Sequence, residues 1–260
     1  MLAANQNPPE LQMLTVPNIP MVESGDNLGE IVASALEAAQ INLSAGDIVM
    51  VAQKIVSKAE GRLISLADVA PSAEARKLAD ETEKDPALCQ LILDESAEIL
   101  RKKPGVIIVR HRLGHVGANA GIDQSNIEHG DGDAALLLPE HPDQSAASMH
   151  EFLSARFGCH IGVIVADSMN RPWRMGTLGA AIGCAGVQVL DDLRGGEDMY
   201  GRELKVSMVN VADSITAAAC LLMGETTEGR PVVVVRGLAP VTDESSAADI
   251  ARPLEDDLFR

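Results

Sequence analysis

Aromatic side chains are nearly missing from this chain: its 260 residues include one Trp, one Tyr and three Phe, 2% in all. Single-stranded nucleic acid therefore has almost no rings on which to stack. Positive charge is short as well. Lys and Arg total 21 against 38 Asp and Glu, a formal net charge of −17 that repels a phosphate backbone. Both shortages exclude nucleic acid as a partner. The six histidines form no HExxH or paired metal-site pattern, so neither zinc chemistry nor a histidine-led triad is supported. The four cysteines, Cys89, Cys159, Cys184 and Cys220, lie far apart in apolar surroundings and are expected as buried free thiols. No uncharged stretch reaches the ~20 apolar residues of a membrane span. The opening Met1-Leu2-Ala3-Ala4-Asn5-Gln6 has no cationic region leading into an apolar one. The expectation is a cytoplasmic protein without a membrane partner. Walker and dinucleotide-binding fingerprints are absent too, so a bound nucleotide would be held by other means.

What remains is a hydrophobic fraction of 46%, which must build its core from Val, Ile, Leu, Ala and Met. Apolar runs at 48–52, 106–109, 161–165 and 232–235 predict buried strands. Apolar spacing and alanine content predict helices near 27–40, 72–103, 145–157 and 211–224. The mixture reads as α/β or α+β. A loose polar tail over 1–12, one catalytic domain over 13–238 and an acidic segment over 239–260 complete the expected layout, with no internal linker.

Polar residues gather where apolar runs end. After Ile161-Gly162-Val163-Ile164-Val165 come Asp167, Ser168, Asn170, Arg171 and Arg174. A strand that ends in an acid, a hydroxyl, an amide and two guanidinium groups borders a polar ligand site. Four glycines in eleven residues follow, at 176, 179, 183 and 186. They mark a close backbone approach, and a tight crossing inside the fold outweighs ligand contact. The run from Gln53 to Arg62 places Lys54, Lys58 and Arg62 directly after a strand. It serves either as an exposed charged turn or as a set of cations for phosphate oxygens. In Asn119-Ala120-Gly121-Ile122-Asp123-Gln124-Ser125-Asn126, small residues surround an acid and two Asn, a pattern that also caps turns. Glu225 follows the Ala-rich helix and, taken alone, is a helix end. Asp123, Asp167 and Glu225 could converge on hard metal ions through oxygen ligands, which spacing alone does not establish.

Six motifs taken in order, VAQKIVSKAEGR (51–62), NAGIDQSN (119–126), ADSMNRPWRMGTLGAAIGCAG (166–186), YGRELKV (200–206), VADSI (211–215) and LLMGE (221–225), resemble the coenzyme F420-0:L-glutamate ligase family. Their combination over residues 13–238 is far more specific than any one of them. The resemblance implies an α+β fold of that ligase type, with mixed sheets and flanking helices, as an intertwined homodimer with its active site near the subunit contact. It implies a GTP-dependent enzyme that joins L-glutamate to a deazaflavin coenzyme precursor as a γ-glutamyl amide. Two divalent ions, Mg²⁺ or Mn²⁺, and K⁺ belong to the same implication. Nucleotide contacts map to Ile19, Pro20, Met21, Val22, Gln53, Lys54, Lys58 and Asn126. Metal ligands map to Asp123, Asp167, Ser168 and Glu225. Lys58, with Arg171 or Arg174, would stabilise the transferring phosphoryl group.

Archaeal members carry Ser-Thr where this chain has Gln53-Lys54, and Thr where it has Ser168. Some relatives carry a further flavin domain, for which this chain is expected to have no room. Two alternatives stand beside the ligase: a paralogue acting on another carboxylated acceptor, and a nucleotide- or deazaflavin-binding module without turnover.

Overall fold

A computed structural model describes residues 10–129, 132–170, 173–239 and 245–258. The first half runs β1 (Gln12–Thr15), α1 (Leu28–Ala38), β2 (Ile48–Ala52), α2 (Gln53–Ala59), β3 (Leu63–Ser65), α3 (Ala73–Thr82), α4 (Pro86–Glu95), β4 (Ser96–Lys103), β5 (Val106–His111) and β6 (Val116–Ala118). The second half runs β7 (Ala134–Leu136), α5 (Pro142–Phe157), β8 (Gly162–Asn170), β9 (Thr177–Ala185), β10 (Leu190–Asp192), β11 (Met208–Asn210), α6 (Val211–Met223) and β12 (Val232–Arg236).

The largest sheet has the order β1-β12-β2-β8-β9, and within it only β2 and β8 run parallel. Strict alternation of side chains gives each central strand two buried faces. Val49 and Val51, Val163 and Val165, and Val232 and Val234 join a core that includes Val32 and Leu36 of α1 and Met149 and Leu153 of α5. Ile48 and Met50, Ile164 and Ala166, and Val233 and Val235 join a second core with Ala212, Ile215 and Ala219 of α6. Burying one Val or Ile contributes about 1.5–3 kcal/mol, so these continuous apolar runs form the most heavily stabilised part of the chain. Beside this sandwich, α3 and α4 pack against Ile107 and Val109 of β5 and enclose a third core with Ala135 and Leu137. The layers mix parallel and antiparallel pairing, so the fold is α+β.

Short polar side chains start the helices. Asn27 accepts from the Glu30 backbone N–H, Ser72 from Ala75, Asp85 from Ala87 and Leu88, and Asn210 from Asp213. The long helix expected over 72–103 is two helices and a strand. Pro86 lacks an N–H and keeps the residue before it out of the helical region, so Asp85 becomes a new cap. Beyond Glu95 the chain pairs antiparallel with β5 across a turn at Pro104-Gly105. The strand expected to stop near 165 extends to Asn170, and Gln12, the last residue of the expected tail, already belongs to β1. In the C-terminal segment, the Ala247 N–H donates to Asp143 Oδ1 and its side chain enters the second core.

The glycines after β8 are crossings at two of the four positions. A Cβ on Gly179 would lie 2.7 Å from the Thr216 carbonyl oxygen of α6, and one on Gly183 would lie 2.3 Å from that of Pro142 in α5. Both helices therefore approach β9 at backbone distance, one from each face. Cys89 and Cys184 are buried and Cys159 and Cys220 partly so, all as free thiols. No helix among the described residues is long and apolar enough to cross a membrane.

Candidate active site

Helix α2 starts directly where β2 ends, so its first residues emerge at the carboxyl edge of the central sheet. Lys54 and Lys58 are four residues apart and share one helical face. That face looks onto the segment after β6. The Lys54 ammonium contacts Asp123 Oδ2, and lies 3.2 Å from the Ser125 carbonyl oxygen and 3.3 Å from Ser125 Oγ. Lys58 Nζ donates to the Asn126 carbonyl oxygen at 3.4 Å.

Three consecutive left-handed residues, Asn119, Ala120 and Gly121 (φ 52°, 56° and 67°), aim this segment. For Ala120 that conformation costs on the order of 1 kcal/mol, sustained because its methyl is buried in the third core. Asp123 is then anchored by its backbone, exchanging both hydrogen bonds with Leu136 of β7 at 3.0 and 2.8 Å. Its Oδ1 accepts from the backbone N–H and the hydroxyl of Ser125, each at 2.7 Å. Burial by itself would raise the Asp123 carboxyl, but Lys54 and Ser125 outweigh it and hold the group below the usual carboxylate range.

Strand β8 brings the second group of oxygens. It outruns its partner β2, whose last pair is Ala52 with Ala166, so Asp167 and Ser168 lie past the parallel neighbour. The pleat sends them to opposite faces. Asp167 continues the side of Val163 and Val165, toward α2. Ser168 continues the side of Ile164 and Ala166, where its Oγ donates to Glu225 Oε1 at 2.6 Å, just beyond α6. Asp167 stands between the two groups. Burial pushes its carboxyl up to about 7, reinforced by the charges of Asp123 and Glu225 and opposed by the Ser168 N–H and Lys54. A single carboxyl thus senses the other two acids and a lysine, which draws residues of four distant segments into one electrostatic neighbourhood.

The donors Asp123, Asp167, Ser168 and Glu225 are all oxygens, the set that suits Mg²⁺ or Mn²⁺, and Asp167 feels the negative charge of both Asp123 and Glu225. The residues fit a hard divalent cation by chemistry. As the side chains stand, no group of three or more His, Cys, Asp or Glu among the described residues is gathered on one point.

Other candidate residues are placed less directly. Gln53 is buried and its Oε1 accepts from Ser57 Oγ at 2.9 Å. Ile19 and Val22 pack into the first core, while Pro20 and Met21 are exposed. This segment adjoins α2, because the Gly25 N–H donates to the Ala59 carbonyl oxygen at 2.8 Å. Arg174 is exposed and has no hydrogen-bond or ion-pair partner among the described residues. Arg171 lies outside them.

Arg62, expected among the cations for phosphate, is turned inward instead. Its Nε donates to the Leu138 carbonyl oxygen at 2.9 Å and its Nη2 pairs with buried Glu95 at 2.9 Å. Ser125, which holds Lys54 through two oxygens, was not singled out by sequence. Its only signal is an Asp-x-Ser spacing typical of a turn.

The family model described as F420-0:Gamma-glutamyl ligase matches residues 17–237. The chain belongs to that family. A coenzyme F420:L-glutamate ligase of Methanopyrus kandleri is 43% identical over 256 residues, covering 97% of this chain and 98% of the relative. One of Methanothermobacter thermautotrophicus is 41% identical over 252 residues, covering 96% and 99%. One of Methanocaldococcus jannaschii is 39% identical over 244 residues, covering 93% and 94%.

Proposed function

We propose that this protein is a GTP-dependent ligase of coenzyme F420 biosynthesis, joining the amino group of L-glutamate to the terminal carboxylate of the deazaflavin precursor F420-0. The observation that carries this reading is the apposition of Lys54 and Lys58 to the Asp123–Asn126 segment beside Asp167. Family membership and the names of near full-length relatives supply the substrates.

A carboxylate is a poor acyl donor. In this reading the precursor's carboxylate oxygen attacks the γ-phosphorus of GTP, GDP leaves, and the resulting acyl phosphate reacts with the glutamate amine, releasing phosphate and a proton. Lys58 stabilises the charge on the transferring phosphoryl group, with Arg174 and Arg171 as further cations. Ile19, Pro20, Met21, Val22, Gln53, Lys54 and Asn126 form the nucleotide side of the site. Asp123, Asp167, Ser168 and Glu225 would hold divalent cations, Mg²⁺ or Mn²⁺ with K⁺ as a further ion, which when bound neutralise phosphate charge. No side-chain nucleophile is needed. Cys220, the thiol that feels Glu225 and Asp167, is pushed up to about 11, first by its burial and then by these two acids, so it stays protonated at neutral pH.

The reading includes a homodimer. Trp173, Met175, Met199, Tyr200, Val206 and Leu221 are almost wholly exposed, and all fall between 173 and 221. Exposed apolar side chains in that number call for a covering surface, and a second copy supplies it symmetrically.

The test is mass spectrometry of F420-0 incubated with the protein, GTP, Mn²⁺ and L-glutamate. A product heavier by one glutamyl residue, formed only when GTP is present, is the expected result. GTP consumption without that product, or no consumption at all, would refute the assignment.

A further inference from the structure

Among the few aromatic side chains, Phe152 and Phe157 pack against the first core, and Phe259 lies outside the described residues. The single Trp and the single Tyr do the opposite: Trp173 is 89% exposed and Tyr200 94%. Neither ring is used to hold the fold, and no other ring among the described residues contacts either one.

The two rings differ in where the chain anchors them. Beyond Ala166, β8 has lost β2 and pairs with β9 alone, from Asp167 opposite Ala180 to Asn170 opposite Thr177. A two-stranded ribbon therefore leaves the carboxyl edge of the central sheet. Asp167 and Ser168 stand at its base, and the stretch from Asp167 to Asn170 spans about 10 Å before the turn that carries Trp173. Tyr200 belongs instead to the β10–β11 connection, which feeds the first turn of α6. Glu225 lies past the last turn of that helix, about 20 Å along it.

From this placement we infer that Trp173 is the platform on which the flat deazaflavin ring of the acceptor stacks, while the acceptor's terminal carboxylate reaches the metal site at the base of the ribbon. The inference rests on the ligase reading for the identity of the acceptor. It leaves Met199, Tyr200, Val206 and Leu221 to the surface between copies.

Three observations favour it. Ring and carboxylate are opposite ends of the acceptor, so a contact for the ring has to stand away from Asp167 and Ser168 rather than among them. An anionic acceptor meets a chain of net charge −17, and stacking supplies attraction that does not depend on charge. Finally, Trp173 has φ +64°, a left-handed conformation that is an outlier for so bulky a side chain, and Met175 beside it is fully exposed. Strained residues that packing does not use gather at ligand contacts.

The experiment measures binding of F420-0, read by the fluorescence anisotropy of its own deazaflavin, with Mn²⁺ and a non-hydrolysable GTP analogue present and glutamate omitted. It is run on wild type, Trp173→Ala and Trp173→Phe, with light scattering and thermal melts to establish assembly and fold, and with the analogue's own affinity measured by calorimetry. Trp173→Ala should bind F420-0 about tenfold more weakly and Trp173→Phe within about threefold of wild type, while affinity for the analogue should be equal in all three. Unchanged F420-0 affinity in Trp173→Ala would overturn the inference and leave the ligase reading standing. A loss shared equally by the analogue, or one accompanied by a halved mass, would overturn it as well, because fold or assembly would then account for the effect. F420-0 held through Trp173 by a protein that adds no glutamate would refute ligation and leave the platform standing. No F420-0 bound by wild type would overturn both.

Discussion

Ser168 Oγ donates to Glu225 Oε1 at 2.6 Å, joining the far end of β8 to the first turn beyond α6, 57 residues later. The bond fixes an acid that otherwise stands on an exposed loop. Ser168→Ala is expected to lower the melting temperature by no more than a few degrees, since an exposed hydrogen bond contributes only about 1 kcal/mol. Mn²⁺ affinity should fall by about tenfold or more, because the change removes one proposed ligand oxygen and releases Glu225, another. Unchanged Mn²⁺ binding would remove Ser168 and the orientation of Glu225 from the metal site.

Lys58 should matter through its charge. Lys58→Met keeps most of the apolar stem, and calorimetry with GTP should show a loss on the order of 2 kcal/mol, carried into turnover. An unchanged GTP affinity together with unchanged turnover would reduce Lys58 to a clasp on the Asn126 carbonyl.

Stability in acid should depend on Glu95, which is buried at the end of α4. Arg62 reaches its Oε1 at 2.9 Å, while Arg112 and His111 approach Oε2 at 3.2 and 3.3 Å. Burial by itself would raise this carboxyl, but His111 and then the two arginines outweigh it and hold the group low. A carboxyl lowered on folding stabilises above its unfolded value and loses that contribution as pH falls through its folded value. Melting temperatures of wild type should therefore drop as pH falls below about 4.5, and Glu95→Gln should lack that component. Glu95→Gln should also cost about 2–4 kcal/mol at neutral pH, because the partly buried Arg62 is left without its counter-charge. Parallel acid limbs in the two proteins would contradict the assignment.

Gly183→Ala places a methyl 2.3 Å from a backbone oxygen of α5. The helix has to shift, and the cost is expected at about 3 kcal/mol, read by denaturant unfolding. Gly176→Ala meets no atom within 4 Å and is penalised only by its φ of +86°, about 1 kcal/mol. Equal costs at the two sites would show that the close crossing has slack.

Light scattering of wild type should give twice the 27.4 kDa chain mass. Leu221→Lys combined with Met199→Lys should halve it, because each substitution puts a charge on a surface that a second copy would cover. A monomeric wild type would end the homodimer reading.

Apolar runs and caps carried most of the fold into the sequence. The runs at 48–52 and 232–235 are strands β2 and β12, and Asn210 caps the helix expected from 211. The error over 96–103 came from reading Ala-rich spacing through Pro86 and on to the Pro104-Gly105 turn, where long-range pairing with β5 overrode local preference. At the site, the relevant segments were legible because polar residues interrupt apolar runs there. Their partners were not legible. Nothing in the spacing of Lys54 and Asp123, 69 residues apart, announces an ion pair, and Arg62 looks like any other cation until Glu95 is seen beneath it.

The pleat of β8 separates Asp167 from Ser168 although they are adjacent in sequence. The strand thereby works as an address in which odd and even positions deliver to different neighbours. Inserting one residue between Val165 and Asp167 would exchange the two deliveries, sending the carboxylate to Glu225 and the hydroxyl to Lys54 while leaving composition almost untouched. Single-residue length changes in this strand should therefore be far less tolerated than most substitutions, and related chains that retain the chemistry should keep the count from the buried apolar run to the acid fixed.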